Sequence, residues 1–70
     1  MLKSYSIRLK FRTMMKDFYF QGDDSPECLE KWTQACRELD DIGDSCESPV
    51  EFFEKAKANF IAHGFIRVAK

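Results

Sequence analysis

Between Ser4 and Arg12 apolar and polar residues alternate without exception, and no other stretch restricts the fold so severely. Successive side chains of an extended strand point to opposite faces. Tyr5, Ile7, Leu9 and Phe11 therefore share one face, and Ser4, Ser6, Arg8, Lys10 and Arg12 the other. This is a half-buried strand with an apolar face that must be covered and a basic face turned to solvent. The rest of the chain reads as the cover.

A second, aromatic run, Phe18 to Gln21, favours another strand. The four or five residues from Thr13 to Asp17 suit a hairpin connection, although neither Asn-Gly nor Asp-Gly marks a turn. In that arrangement Phe18 and Phe20 join the inner face, while Tyr19 and Gln21 share the outer face with Arg8 and Lys10. Alternatively, Met14 and Met15 continue one long bent strand.

Ser25 or Asp24 can cap a helix, and Pro26 suits its first turn. From about residue 26 to 40, Cys28, Leu29, Trp32, Ala35, Cys36 and Leu39, with Ile42 beyond, fall within roughly 140° at helical periodicity. Asp40 to Glu47 reads as an acidic turn between helices, within which Gly43 offers a stop for the first. Ser48-Pro49-Val50-Glu51 then has the form of a capping box. The second helix carries Phe52, Phe53, Ala56, Phe60 and His63 on one face, widened by Val50 and Ile61, and Gly64 is its left-handed terminator. Phe65 to Ala69 is β-branched and aromatic enough for a third strand. The expectation is one α+β domain over residues 1–70. It has two layers, a three-stranded antiparallel or mixed sheet in the order β-β-α-α-β, with two amphipathic helices on one face.

Seventy residues bury only about 60% of the unfolded chain's surface. Seven Phe, two Tyr and one Trp offset that deficit, since each aromatic ring buries roughly 150–250 Å². The same richness suits a chain that buries further surface against a partner, or against a second copy as a homodimer.

The formal charge of −1 conceals a segregation. Residues 1–16 carry five bases and no acid; residues 17–54 carry twelve acids against Lys31 and Arg37, a net of −10; residues 55–70 add four bases. General nucleic-acid affinity usually needs a strongly basic domain, so nucleic acid is the weaker partner class. The N-terminus alternates where a secretory leader would carry an apolar run of about 7–15 residues, and no stretch approaches the ~20 apolar residues of a membrane span. Three cysteines, Cys28, Cys36 and Cys46, are an odd number and form no C-x-x-C pair. Together these features imply a cytoplasmic protein with no membrane partner.

No catalytic set, metal site or cofactor site is expected. His63, the one histidine, falls at a helix end where capping or packing explains it. Cys46 is the cysteine expected to be exposed, and nothing brings it to His63. Cys28 and Cys36 are about 12 Å apart along one helix, too far to bridge. The Asp40–Glu47 segment lacks the D-x-[DN]-x-[DN]-G pattern of a calcium loop.

Two charged surfaces remain. The acidic one comprises Glu27, Glu30, Glu38, Asp40, Asp41, Asp44 and Glu47; clustered carboxylates steer towards a basic partner, including a nucleic-acid-binding protein. The basic one comprises Arg8, Lys10 and Arg12 with Tyr19 as a stacking platform for single-stranded nucleic acid. For each a plain structural account competes: charged helix faces are solvated, and lysines guard sheet edges. The favoured expectation is a non-enzymatic protein-binding module, an inhibitor or adaptor acting through the acidic surface. In size and charge layout it compares with small inhibitors of phages and mobile elements, anti-CRISPR and anti-restriction proteins among them. The alternative is a nucleic-acid-binding accessory protein using the basic sheet face.

Overall fold

A computed structural model describes residues 2–68. The chain runs β1 (Leu2–Phe11), β2 (Met14–Asp23), α1 (Pro26–Ser45), α2 (Pro49–Ala62) and β3 (Ile66–Val68). β2 is central and antiparallel to both neighbours. The α+β class and the β-β-α-α-β order are those expected from the sequence, and the sheet is wholly antiparallel.

The hairpin is tighter than its sequence implies. Phe11 pairs with Met14, so only Arg12 and Thr13 form the turn, and the ten residues of each strand match one to one. Met14 and Met15 thus belong to β2, as do Lys16 and Asp17. Two-residue hairpins favour turns whose first central residue has positive φ, and Arg12 takes φ 58°. A left-handed conformation costs an L-residue roughly 1–2 kcal/mol. Two ten-residue strands in register outweigh that cost, and the turn forms without the glycine that would have announced it. Arg12 therefore leaves the outer sheet face assigned to it above, and its guanidinium lies 5.3 Å from the centre of the Phe11 ring.

Pairing places Tyr5 opposite Phe20 and Ile7 opposite Phe18, and both helices cover this face. Nine of the ten aromatic rings belong to the core or pack against it, Tyr19 being the exception. Trp32 stands 4.5 Å from Phe60, 4.9 Å from Tyr5 and 5.1 Å from Phe65, centre to centre. A second group joins Phe52 to Phe11 at 5.2 Å and Phe53 to Phe18 at 6.1 Å. Stacked, tilted and edge-on pairs of this kind add about 0.5–1.5 kcal/mol beyond area burial.

The Ser25 hydroxyl caps α1 by accepting from the Cys28 amide at 3.2 Å. At its other end α1 continues past the expected stop: Gly43 is helical, without positive φ, and the helix runs on to Ser45. A Cβ on Gly43 would lie 3.5 Å from the Phe52 ring, so packing against α2 holds the last turn in place of the predicted loop. Consequently Cys46, expected to be exposed, is buried at the helix end. The Ser48 hydroxyl accepts from the Glu51 amide, while the Glu51 carboxylate accepts from the amide of Glu47 instead of Ser48, a capping box shifted by one residue. α2 closes as predicted. Gly64 has φ 99°, its amide donates to Ile61 and that of Phe65 to Phe60, the paired bonds of a Schellman ending.

Val50, Ile61 and Leu29, assigned to apolar helix faces above, are exposed at 71%, 49% and 49%, because they lie at the margins of those faces. Phe65 is buried just before β3; Ala69, expected in that strand, lies outside the described residues.

Candidate functional site

Of the seven predicted acidic residues, Glu27 to Asp44 are all on α1, and Glu47 follows it. With 3.6 residues per turn, Glu27, Glu30, Glu38, Asp41 and Asp44 share about a third of the circumference, away from Trp32 and Ala35. Asp40 falls apart from them, near Leu29. Arg37 stands within the stripe, between Glu30 and Asp41. Glu38 is partly exposed but engaged within the fold: its carboxylate meets His63 Nε2 at 2.7 Å and accepts from Gln34 at 3.5 Å. The His63 contact holds the Glu38 carboxyl below the usual glutamate range. A second tie, from the Asn59 amide to the Ala35 carbonyl at 3.1 Å, fastens the same two helices.

At the end of α1 the charges oppose the backbone. A helix C-terminus carries partial negative charge and favours cations, yet Asp40, Asp41 and Asp44 occupy the last turns with no base in the final one. Among the described residues none of the three is in an ion pair. The sequence placed these acids in a turn, where their conflict with the helix could not be seen.

The outer sheet face is less basic than its β1 residues imply. Strand pairing sets Ser6 beside Tyr19, Arg8 beside Asp17 and Lys10 beside Met15, and β3 adds Ile66 beside Gln21 and Val68 beside Tyr19. Arg8 Nε lies 2.8 Å from Asp17 Oδ1, with a longer second contact at 3.4 Å. This pair lowers the pKa of the Asp17 carboxyl and raises that of the Arg8 guanidinium. With Arg12 in the turn, Arg8, Lys10 and Tyr19 remain of the predicted nucleic-acid face, with Asp17 among them. Asp17 was read as part of a loop, so its neutralising role was hidden.

The cysteines are free thiols. Burial raises the pKa of Cys36, which makes it a weaker nucleophile, and the geometry that holds His63 is its bond to Glu38. Among the described residues no group of three or more His, Cys, Asp or Glu is arranged to hold a metal ion, and no helix is long and apolar enough to cross a membrane.

No protein-family model, curated protein or solved structure matches the chain. One group of charges was missed in the sequence: Lys57 pairs with Glu54, and Lys16 and Arg67 both stand over the Phe18 ring. The available signal was the spacing of Lys16 and Phe18, two residues apart and so on one strand face, which goes unnoticed while Lys16 is assigned to a connection.

Proposed function

We propose that the protein is a non-enzymatic binding module, an adaptor or inhibitor that engages a basic surface of a partner protein through the C-terminal half of α1. The observation that carries this reading is Asp40, Asp41 and Asp44, none in an ion pair among the described residues, in the last turns of a helix whose C-terminal end disfavours negative charge. An acid in the last turn, as Asp44 is, costs roughly 0.3–1 kcal/mol of helix stability at low salt, and Asp40 and Asp41, one turn earlier, cost less. Their retention is understood if they act outside the fold, where closely spaced carboxylates speed encounter with a cationic partner. Glu27, Glu30 and Glu47 extend the field; Glu38 supports it by fixing α1 to α2.

The test separates binding from folding. A variant with Glu30→Lys, Asp41→Lys and Asp44→Lys should lose capture of its partner from nuclease-treated lysate while its thermal midpoint stays level or rises. Capture that survives the reversal, followed by direct titration of the purified partner, rejects the acidic surface. The sheet-face alternative is supported by Arg8 diagonal to Tyr19 on the outer face, with Lys10 further along the same strand. It requires binding of labelled single-stranded DNA or RNA at low salt that weakens steeply as salt rises. Absence of such binding removes it.

A further inference from the structure

Beside the sheet's lower inner row, the strand and helix layers part to leave a notch lined by Lys16 and Phe18 of β2 and by Val50, Phe53, Glu54 and Lys57 of α2. Lys57 Nζ bonds Glu54 Oε2 at 2.5 Å, and only 24% of the Lys57 side chain is exposed. The Lys16 ammonium stands 5.4 Å from the centre of the Phe18 ring, and the Arg67 guanidinium 5.9 Å from the same ring. Arg67 pairs with Phe20 across the sheet, so its side chain reaches Phe18 diagonally, as long side chains on neighbouring strands do.

Lys57 thus holds Glu54 directly, while Lys16 and Arg67 gather at the Phe18 ring that floors the notch, and the Glu54 carboxyl lies below its usual range, through Lys57 most of all. Glu54 satisfies Lys57 and leaves two positive charges in excess. A solvated surface pair would need neither the converging cations of β2 and β3 nor the partial burial of Lys57. The cavity of about 90 Å³ is below the ~300–1,000 Å³ of ordinary small-molecule sites. It has room for a single functional group, with an apolar floor of Phe18 and Phe53 and the exposed Val50 at its rim.

We propose that this notch is an anion site in which Lys16, Lys57 and Arg67 receive the phosphate group of a phosphate monoester whose organic part rests on the apolar rim. A dianion matches the two excess charges, and charge-assisted bonds to ammonium and guanidinium groups are the strong ones available to it. Glu54 occupies the site in the free protein and gives way when the anion enters. The site is separate from the acidic end of α1 and stands whether or not the acidic surface binds a protein.

Glu54 supplies the decisive test. Amide spectra of the protein would be titrated with inorganic phosphate, and with phenyl phosphate, against sodium chloride at matched ionic strength. The expected result is saturable shifts at Lys16, Phe18, Glu54 and Lys57 with both phosphates and not with chloride, phenyl phosphate binding at least as tightly. Lys16→Gln or Arg67→Gln should weaken binding about tenfold, the loss of one charged hydrogen bond, whereas Glu54→Gln should tighten it by removing the competing carboxylate. Shifts reproduced by chloride, or Glu54→Gln binding no tighter than wild type, overturn the anion site. Phenyl phosphate binding more weakly than inorganic phosphate overturns the ester assignment. The same spectra report whether each variant is folded.

Discussion

α2 buries Phe52, Phe53, Ala56 and Phe60 within fourteen residues, whereas α1 buries only Ala35 within twenty. The shorter helix has the matched ends: Pro49 at its start, Ser48 as cap, and the Gly64 closure at its end. The longer one finishes in aspartates that make no ion pair among the described residues, and it is anchored chiefly by the half-buried Trp32 and the ties to Asn59 and His63. Stability is therefore concentrated in α2 and the strands beneath it. α1 carries charge that the fold does not use, and a surface kept at some cost to stability is where interaction is best sought.

The largest test of this contrast compares one ring from each helix. Phe60 is fully buried, and Phe60→Ala should cost about 3–5 kcal/mol. A domain of this size rarely has more than about 3–5 kcal/mol from a single core, so the variant should lose its cooperative urea transition. Trp32→Ala removes a larger ring from a partly exposed position and should cost less, about 2–3 kcal/mol, leaving a measurable transition at lower urea. If Trp32→Ala proves the more damaging, α1 is the anchoring helix and the contrast fails.

Next in size is a position where both helical segments meet β2. A Cβ on Gly22 would come within 2.7 Å of the Phe65 ring and 2.9 Å of Cys28 Sγ, and Phe65, 2% exposed, has no space into which to withdraw. Gly22→Ala should destabilise by about 1–3 kcal/mol through overpacking, read as a lower urea midpoint with an unchanged slope. No change would mean that the Cys28 side of α1 yields easily, which would sharpen the picture of a loosely held helix.

Much of this arrangement was legible from local chemistry. Strict alternation from Ser4 to Arg12 identified β1 and its inner face, and Ser25-Pro26, Ser48-Pro49 and Gly64 set three helix ends because each acts through its immediate neighbours. The remaining features depend on contacts distant in sequence. The tight turn at Arg12 is imposed by the pairing of whole strands, and Gly43 stays helical because Phe52 packs on it. Asp17 cancels Arg8 only once the hairpin register is known. Among the site residues, the acids were legible as a cluster, but the bond that withdraws Glu38 required His63 to be brought across from the end of α2. One tie did leave a trace. An antiparallel helical hairpin brings together residues equidistant from its bend, and Ala35 and Asn59 each lie twelve positions from Glu47.

Charge at the end of α1 gives a smaller effect of opposite sign. Asp44→Lys replaces an anion with a cation at a helix C-terminus and should stabilise the protein by roughly 0.3–1 kcal/mol at low salt, the gain shrinking as salt screens it. Thermal midpoints at two salt concentrations measure it. A loss of stability would show that Asp44 has a partner within the fold, and the argument for a function outside the fold would lose its main support.

The smallest effect concerns the acid that belongs to the fold and not to the surface. The bond from His63 holds the Glu38 carboxyl below its ordinary value of 4.5 in the folded chain. The unfolded chain therefore takes up a proton first as pH falls. The stabilisation from this contact is present above the ordinary glutamate range and is lost as pH drops through the lowered folded value. Glu38→Gln should narrow the gap in urea midpoint between about pH 6 and about pH 3 relative to wild type, by a modest amount because the pair is partly exposed and screened. The same variant should capture a partner as well as wild type does, since its carboxylate is already engaged by α2. An unchanged acid limb together with lost capture would return Glu38 to the interaction surface and reverse the division of labour between the helices.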